Sequence, residues 1–151
     1  MEEQYELIRD LKRHLNSIEH QLFVSSKFTR TTEMLRKIME SIVTGYEQFF
    51  AVAFEVLVGE EASYVQNVRD RIQMLNESLQ MRGVAVDLSE YFLLKRLLMC
   101  DFDCIGEYRK NLCMVAYVDG EEYMINMQKL HDFYASLKSA TGGLQQAETV
   151  Y

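Results

Sequence analysis

Proline and tryptophan are absent from this chain of 151 residues, and glycine occurs only seven times. Helix breakers are therefore scarce, and long helices are permitted almost everywhere. A Pro-rich linker between two domains is excluded. Three cysteines are an odd number and make no disulfide framework. The longest apolar run, Leu112 to Val118, is too short to cross a bilayer as a helix, so no membrane partner is expected. The opening Met1-Glu2-Glu3 has neither the basic nor the apolar stretch of a secretory signal, so the expected location is the cytoplasm, with reduced thiols. No G-x-G-x-x-G, P-loop, G-x-S-x-G or H-E-x-x-H motif occurs. No cofactor and no enzymatic activity are expected on that basis.

Excess positive charge is lacking as well. The net charge is -7, which makes nucleic acid a poor partner, since phosphate binding draws on clustered Lys and Arg. The basic pairs Lys12-Arg13, Arg36-Lys37, Lys95-Arg96 and Arg109-Lys110 mostly have acidic neighbours and read as solvated faces, unless folding gathers them into a patch.

What is present is helical periodicity. Ile8, Leu11, Leu15, Ile18 and Leu22 recur at steps of three and four, with mostly polar residues between them. At 3.6 residues per turn that spacing makes one narrow apolar seam, suited to a neighbouring helix of the same chain or of another copy. This first helix is expected over about Glu2 to Phe23, with Ser25 and Ser26 interrupting it. A second helix begins after Thr31 or Thr32 and runs to Val58, with Gly59 as its stop. Its broad apolar face, including Leu35, Ile38, Ile42, Phe49 and Ala53, marks the central core helix, and Gly45 on it lets a neighbour approach closely. A third helix, about Glu61 to Arg82, repeats the narrow seam with Val65, Val68, Ile72, Leu75 and Leu79, and Gly83 closes it. Asp87 to Glu90 resembles a capping box leading into a fourth helix through Tyr91, Leu94, Leu97 and Leu98.

After Cys100 the pattern changes. Two runs flank Asp119-Gly120, which predicts a β-hairpin over about 112–126, with Met114, Ala116, Val118, Tyr123 and Ile125 on one face. Asn126 then caps a last helix carrying Leu130, Phe133, Tyr134 and Leu137. The expected fold is mainly α: a bundle of about five helices with one hairpin before the C-terminal helix. A single domain spans 1–140, and 141–151 is a flexible tail beginning at Thr141-Gly142-Gly143. Its last residues, Glu148 to Tyr151, have the form a strand-adding receptor grips.

Three side-chain sets invite chemistry. Cys100, Cys104, Cys113 and His131 are chemically suited to a tetrahedral zinc shell, although their spacing is unusual and buried free cysteine also serves as a small hydrophobe. Glu40, Glu47 and Glu55 fail the di-iron pattern, because no His has a Glu three residues before it. The nine methionines fill a core or line an adaptable groove.

Arg9-Asp10-Leu11-Lys12-Arg13-His14 places an Arg five residues before a His, and Arg13 stands in similar relation to His20. In outline the chain resembles small helical bundles of the HEPN class, many of which are ribonucleases marked by an Arg followed, after four to six residues, by a His. That motif usually sits on a late helix of the family and here lies on the first. The resemblance implies that Arg9 binds phosphate and His14 transfers a proton. The residues themselves favour a different class: a cytosolic interaction or assembly protein, forming a homo-oligomer or binding a helical protein partner. Its interface would be the two seams, Ile8 to Leu22 and Val65 to Leu79. A regulator with a small-molecule pocket lined by Met and Tyr is a third class.

Overall fold

The computed structural model describes residues 2–58, 68–84, 86 and 88–149. The fold is a mainly α bundle with a small antiparallel sheet inserted before the last helix. Helix α1 spans Glu2–His20. It does not break at Ser25-Ser26: a π-helical segment, Gln21–Ser25, carries it into one further turn, Ser26–Phe28. The wider π turn inserts an extra residue. Leu22 stays in the core while Phe23 and Val24 turn out to solvent.

Helix α2 spans Thr32–Ala53 and is capped by the Thr31 hydroxyl, which accepts from the Met34 N–H at 3.2 Å. Its buried residues, from Leu35 through Ala53, form the centre of the molecule, and a second π-helical segment, Phe54–Val58, extends it. The expected stop at Gly59 lies outside the described residues. Gly45 is where α2 meets two neighbours. A Cβ there would stand 2.7 Å from Leu137 Cδ2, 3.4 Å from Ile18 Cδ1 and 3.5 Å from His14 Cδ2. Only a residue without a side chain lets both α1 and the last helix pack this closely against the same turn.

Helix α3 spans Val68–Met81. Gly83, at φ 77, ends it: the Gly83 N–H donates to the Gln80 carbonyl and the Val84 N–H to the Leu79 carbonyl. This is the Schellman arrangement, and buried Val84 supplies its apolar contact. The start expected for this helix, Glu61 to Asn67 with Val65, and the capping residue Asp87 lie outside the described residues. Helix α4 spans Leu88–Leu98 and packs on α2 through Tyr91, whose ring meets Phe50 edge-on at 5.0 Å.

Strands β1 (Asp103–Ile105), β2 (Cys113–Val118) and β3 (Glu121–Ile125) form the sheet in that order. The hairpin matches its expectation, with Val118 opposite Glu121 and both turn residues at positive φ, 53 for Asp119 and 80 for Gly120. Strand β1 adds a third strand, pairing Cys104 with Met114 and Ile105 with Cys113. Met114, Ala116 and Ile125 face the bundle and are fully buried, with Val118 nearly so.

Helix α5 spans Met127–Thr149, capped by Asn126 Oδ1, which accepts from the Lys129 N–H at 2.8 Å. The segment expected to form a tail is therefore helical from residue 141 to 149. Thr141 returns its hydroxyl to the Leu137 carbonyl at 3.0 Å, and Leu144 is buried in the core, so two glycines do not end the helix. Residues 150 and 151 lie outside the described residues.

Candidate functional site

The two seams are not free surfaces. Leu11, Leu15, Ile18 and Leu22 of α1 and Ile72, Leu75 and Leu79 of α3 all belong to one buried core with α2, and Ile8 packs against its edge. Val65 lies outside the described residues, as does the side chain of Val68. The interface expected at these positions is corrected accordingly. A seam of about one residue per turn needs one neighbour, and α2 of the same chain supplies it.

Apolar surface remains on the outer face of the sheet. Alternation along the strands sends Ile105, Cys113, Val115, Tyr117 and Met124 to the side opposite the bundle. Cys113 and Val115, in the middle, are only 6% exposed although neither belongs to the core. Their flanking partners Ile105, Tyr117 and Met124 stand at 50–58% exposure. Asp103, opposite Val115, and Glu122, opposite Tyr117, put negative charge on the same face. Burial pushes the Cys113 thiol above its ordinary range, so at neutral pH it serves as a small hydrophobe. Sequence reading assigned the inner face of this hairpin and left the outer one unassigned, because β1 and its Ile105 carried no strand signal of their own.

The zinc set is dispersed. Cys104 shares the inner side of β1 with Met114, whereas Cys113 lies on the outer face. The Cys100 thiol donates to the Arg96 carbonyl at 3.2 Å. His131, on α5, meets the Phe23 ring edge-on at 4.9 Å. Among the described residues, no three His, Cys, Asp or Glu side chains are placed to hold a metal ion. Cys100 and Cys104, four residues apart, share no helix face, because α4 ends at Leu98, before either. Partial desolvation and the neighbouring Glu107 carboxylate, 3.5 Å away, raise the Cys104 thiol above its usual range.

Arg9 is exposed on α1, whereas His14 turns toward α2, its Nε2 2.7 Å from the Ser41 carbonyl. A carbonyl only accepts, so Nε2 carries the proton. Five residues on a helix separate the two side chains by about 140° around its axis. His20 is exposed near the end of α1.

The methionines divide between roles. Met39 and Met114 are core, while Met81 at the end of α3, Met99 just after α4 and Met124 on β3 are exposed. A groove of about 970 Å³ runs between α4 and the hairpin turn, with Phe92, Met99 and Tyr123 on its walls. Arg96 and Asp119 form an ion pair across it, and the Tyr123 hydroxyl donates to Glu121 at 3.1 Å. No described helix is long and apolar enough to cross a membrane. Comparisons with family models, curated proteins and solved structures find no match for this chain.

Proposed function

We propose that this protein is a non-enzymatic interaction protein that self-associates across the outer face of its sheet. The observation that carries this reading is the shielded pair Cys113 and Val115, ringed by half-exposed Ile105, Tyr117 and Met124 on the side away from the core. A patch of this kind loses contact with water when a second copy lays the same patch on it, and a two-fold axis through the sheet makes that contact self-complementary. Asp103 and Glu122 then oppose their own counterparts at the rim. Salt screens that repulsion, so association should strengthen as ionic strength rises.

Tyr117→Glu and Met124→Glu test the reading, because both positions are solvent-facing and tolerate charge without unfolding the protomer. Analytical ultracentrifugation should show a concentration-dependent dimer that either change shifts to monomer while the circular dichroism spectrum is kept. A wild-type protein that stays monomeric at high concentration and high salt would overturn the proposal. So would a dimer indifferent to both substitutions.

A further inference from the structure

The end of α1 and the loop between β1 and β2 meet in a small basic and aromatic cleft. The Tyr108 N–H donates to the Arg30 carbonyl at 2.6 Å, docking the loop on the connection between α1 and α2. Glu107, next to it, accepts from the Thr32 N–H at 3.4 Å at the start of α2, and from the Cys104 thiol. These bonds hold Tyr108 in the left-handed region, at φ 66, where a bulky side chain is rarely found. Its ring is nevertheless 77% exposed, and Phe28 beside the same cleft is 84% exposed. Neither ring serves the core, so the strained backbone presents an aromatic to solvent.

Charge follows the rings. Lys27 and Arg30 line the cleft with Phe28 and Tyr108, over a volume of about 220 Å³. Arg30 also lines an adjoining crevice with Arg109 and Lys110. A chain of net charge -7 thus gathers four cations along two crevices that share Arg30, one of them lined by the two exposed rings. Arg109-Lys110 reads in the sequence as a solvated pair, and its company arises only when the loop folds onto Arg30.

We propose that this cleft binds a nucleotide unit, with a flat base against Phe28 and Tyr108 and phosphates on Lys27, Arg30, Arg109 and Lys110. A slot of this volume suits one planar ring and is too small for most drug-sized ligands. Aromatic stacking is indifferent to base identity, and cations spread over two adjoining crevices suit successive phosphates along a single strand. A cleft lined by two rings fits a flat ligand better than it fits a bilayer surface, which favours protruding side chains.

Fluorescence anisotropy with labelled oligo-uridylate and oligo-thymidylate tests the proposal, with ATP as competitor to separate a strand from a free nucleotide. Phe28→Ala should weaken strand binding by roughly 5- to 150-fold, the range for one stacked base. Tyr108→Gly should weaken it similarly while relieving the positive φ, so the loop keeps its fold. Arg109→Ala should lower the slope of log affinity against log salt by about one. Competition by ATP at matching affinity would assign the site to a free nucleotide and support the proposal; weak competition with tight strand binding would assign it to single strands, again in support. Binding to neither, binding unchanged in Phe28→Ala and Tyr108→Gly, or binding only to phosphatidylserine vesicles would overturn it.

Discussion

Gly45 should be coupled energetically to Leu137, and the size of that coupling follows from the contact between α2 and α5. A methyl group at position 45 would lie 2.7 Å from Leu137 Cδ2, well inside van der Waals contact. Leu137 is fully buried, so its end cannot swing into solvent. In an otherwise native chain, Gly45→Ala gains about 1 kcal/mol in helix propensity and loses about 1–3 kcal/mol to overpacking. The net change should be destabilising by about 0–2 kcal/mol. Leu137→Ala alone removes three carbons from the core. At about 0.8 kcal/mol each, plus a cavity contribution, it should cost about 3 kcal/mol. In that background the overlap at position 45 is gone, and the same Gly45→Ala change should become stabilising by about 1–2 kcal/mol, from propensity and from filling part of the cavity. The expected coupling is therefore about 1–4 kcal/mol. Urea denaturation of the four proteins, followed by far-ultraviolet circular dichroism, measures it, provided the m-values agree. Additivity within about 0.5 kcal/mol would show that α2 and α5 do not meet at this turn, and would refute the packing argument for Gly45.

The Tyr134 hydroxyl donates to Glu19 Oε1 at 2.7 Å, and Lys138 Nζ approaches the same oxygen at 2.9 Å. Lys138 first and Tyr134 second hold the Glu19 carboxyl below its ordinary value of 4.5. Stability from Glu19 is present above that value and is lost as pH falls through the lower folded one. Burial first and the Glu19 bond second raise the Tyr134 phenol above 10, so its contribution is present below pH 10 and lost as pH rises beyond its folded value. Tyr134→Phe should cost about 1–2 kcal/mol at pH 7 and flatten both limbs of a stability profile measured by urea midpoint; an unchanged profile would count against the link between α1 and α5. Cys104, accessible but with a raised thiol pKa, should react with Ellman's reagent at pH 7 more slowly than the same chain in urea, and the gap should close as pH rises. Faster reaction in the folded state would mean a thiolate that Glu107 does not suppress.

Much of the fold was legible because its signals are local. The Thr31 cap, the Gly83 stop, the Asp119-Gly120 turn and the Asn126 cap each depend on a few adjacent residues, and each stands where the sequence placed it. The seams were legible as seams, but their partner was not. Periodicity says which side of a helix is apolar and says nothing about whose helix covers it; only the packing of α1 and α5 against α2, with Gly45 where the three meet, decides that. The continuation of α5 through Gly142-Gly143 was hidden for a related reason. Two glycines cost about 2 kcal/mol in helix propensity, and burial of Leu144 offsets that cost through a tertiary contact no local window contains.

The surfaces proposed for function were the least legible part, and the cause is geometric. Ile105 becomes part of an apolar face only when a three-residue strand pairs with β2, and Tyr108 comes to line one cleft with Phe28 only when residues about 80 positions apart in sequence dock through the Tyr108–Arg30 and Thr32–Glu107 bonds. Both surfaces depend on the segment from Asp103 to Leu112, which lies outside the long helices. The bundle can therefore be read as a rigid support whose helical pattern is strong because it carries stability. The segment that shapes both exposed surfaces has weak pattern because its short strand and loop bury few side chains. Deleting the ring of Tyr108 should leave the urea midpoint nearly unchanged, whereas deleting Ile18 or Leu75 should lower it strongly, since only the latter two are buried in the core.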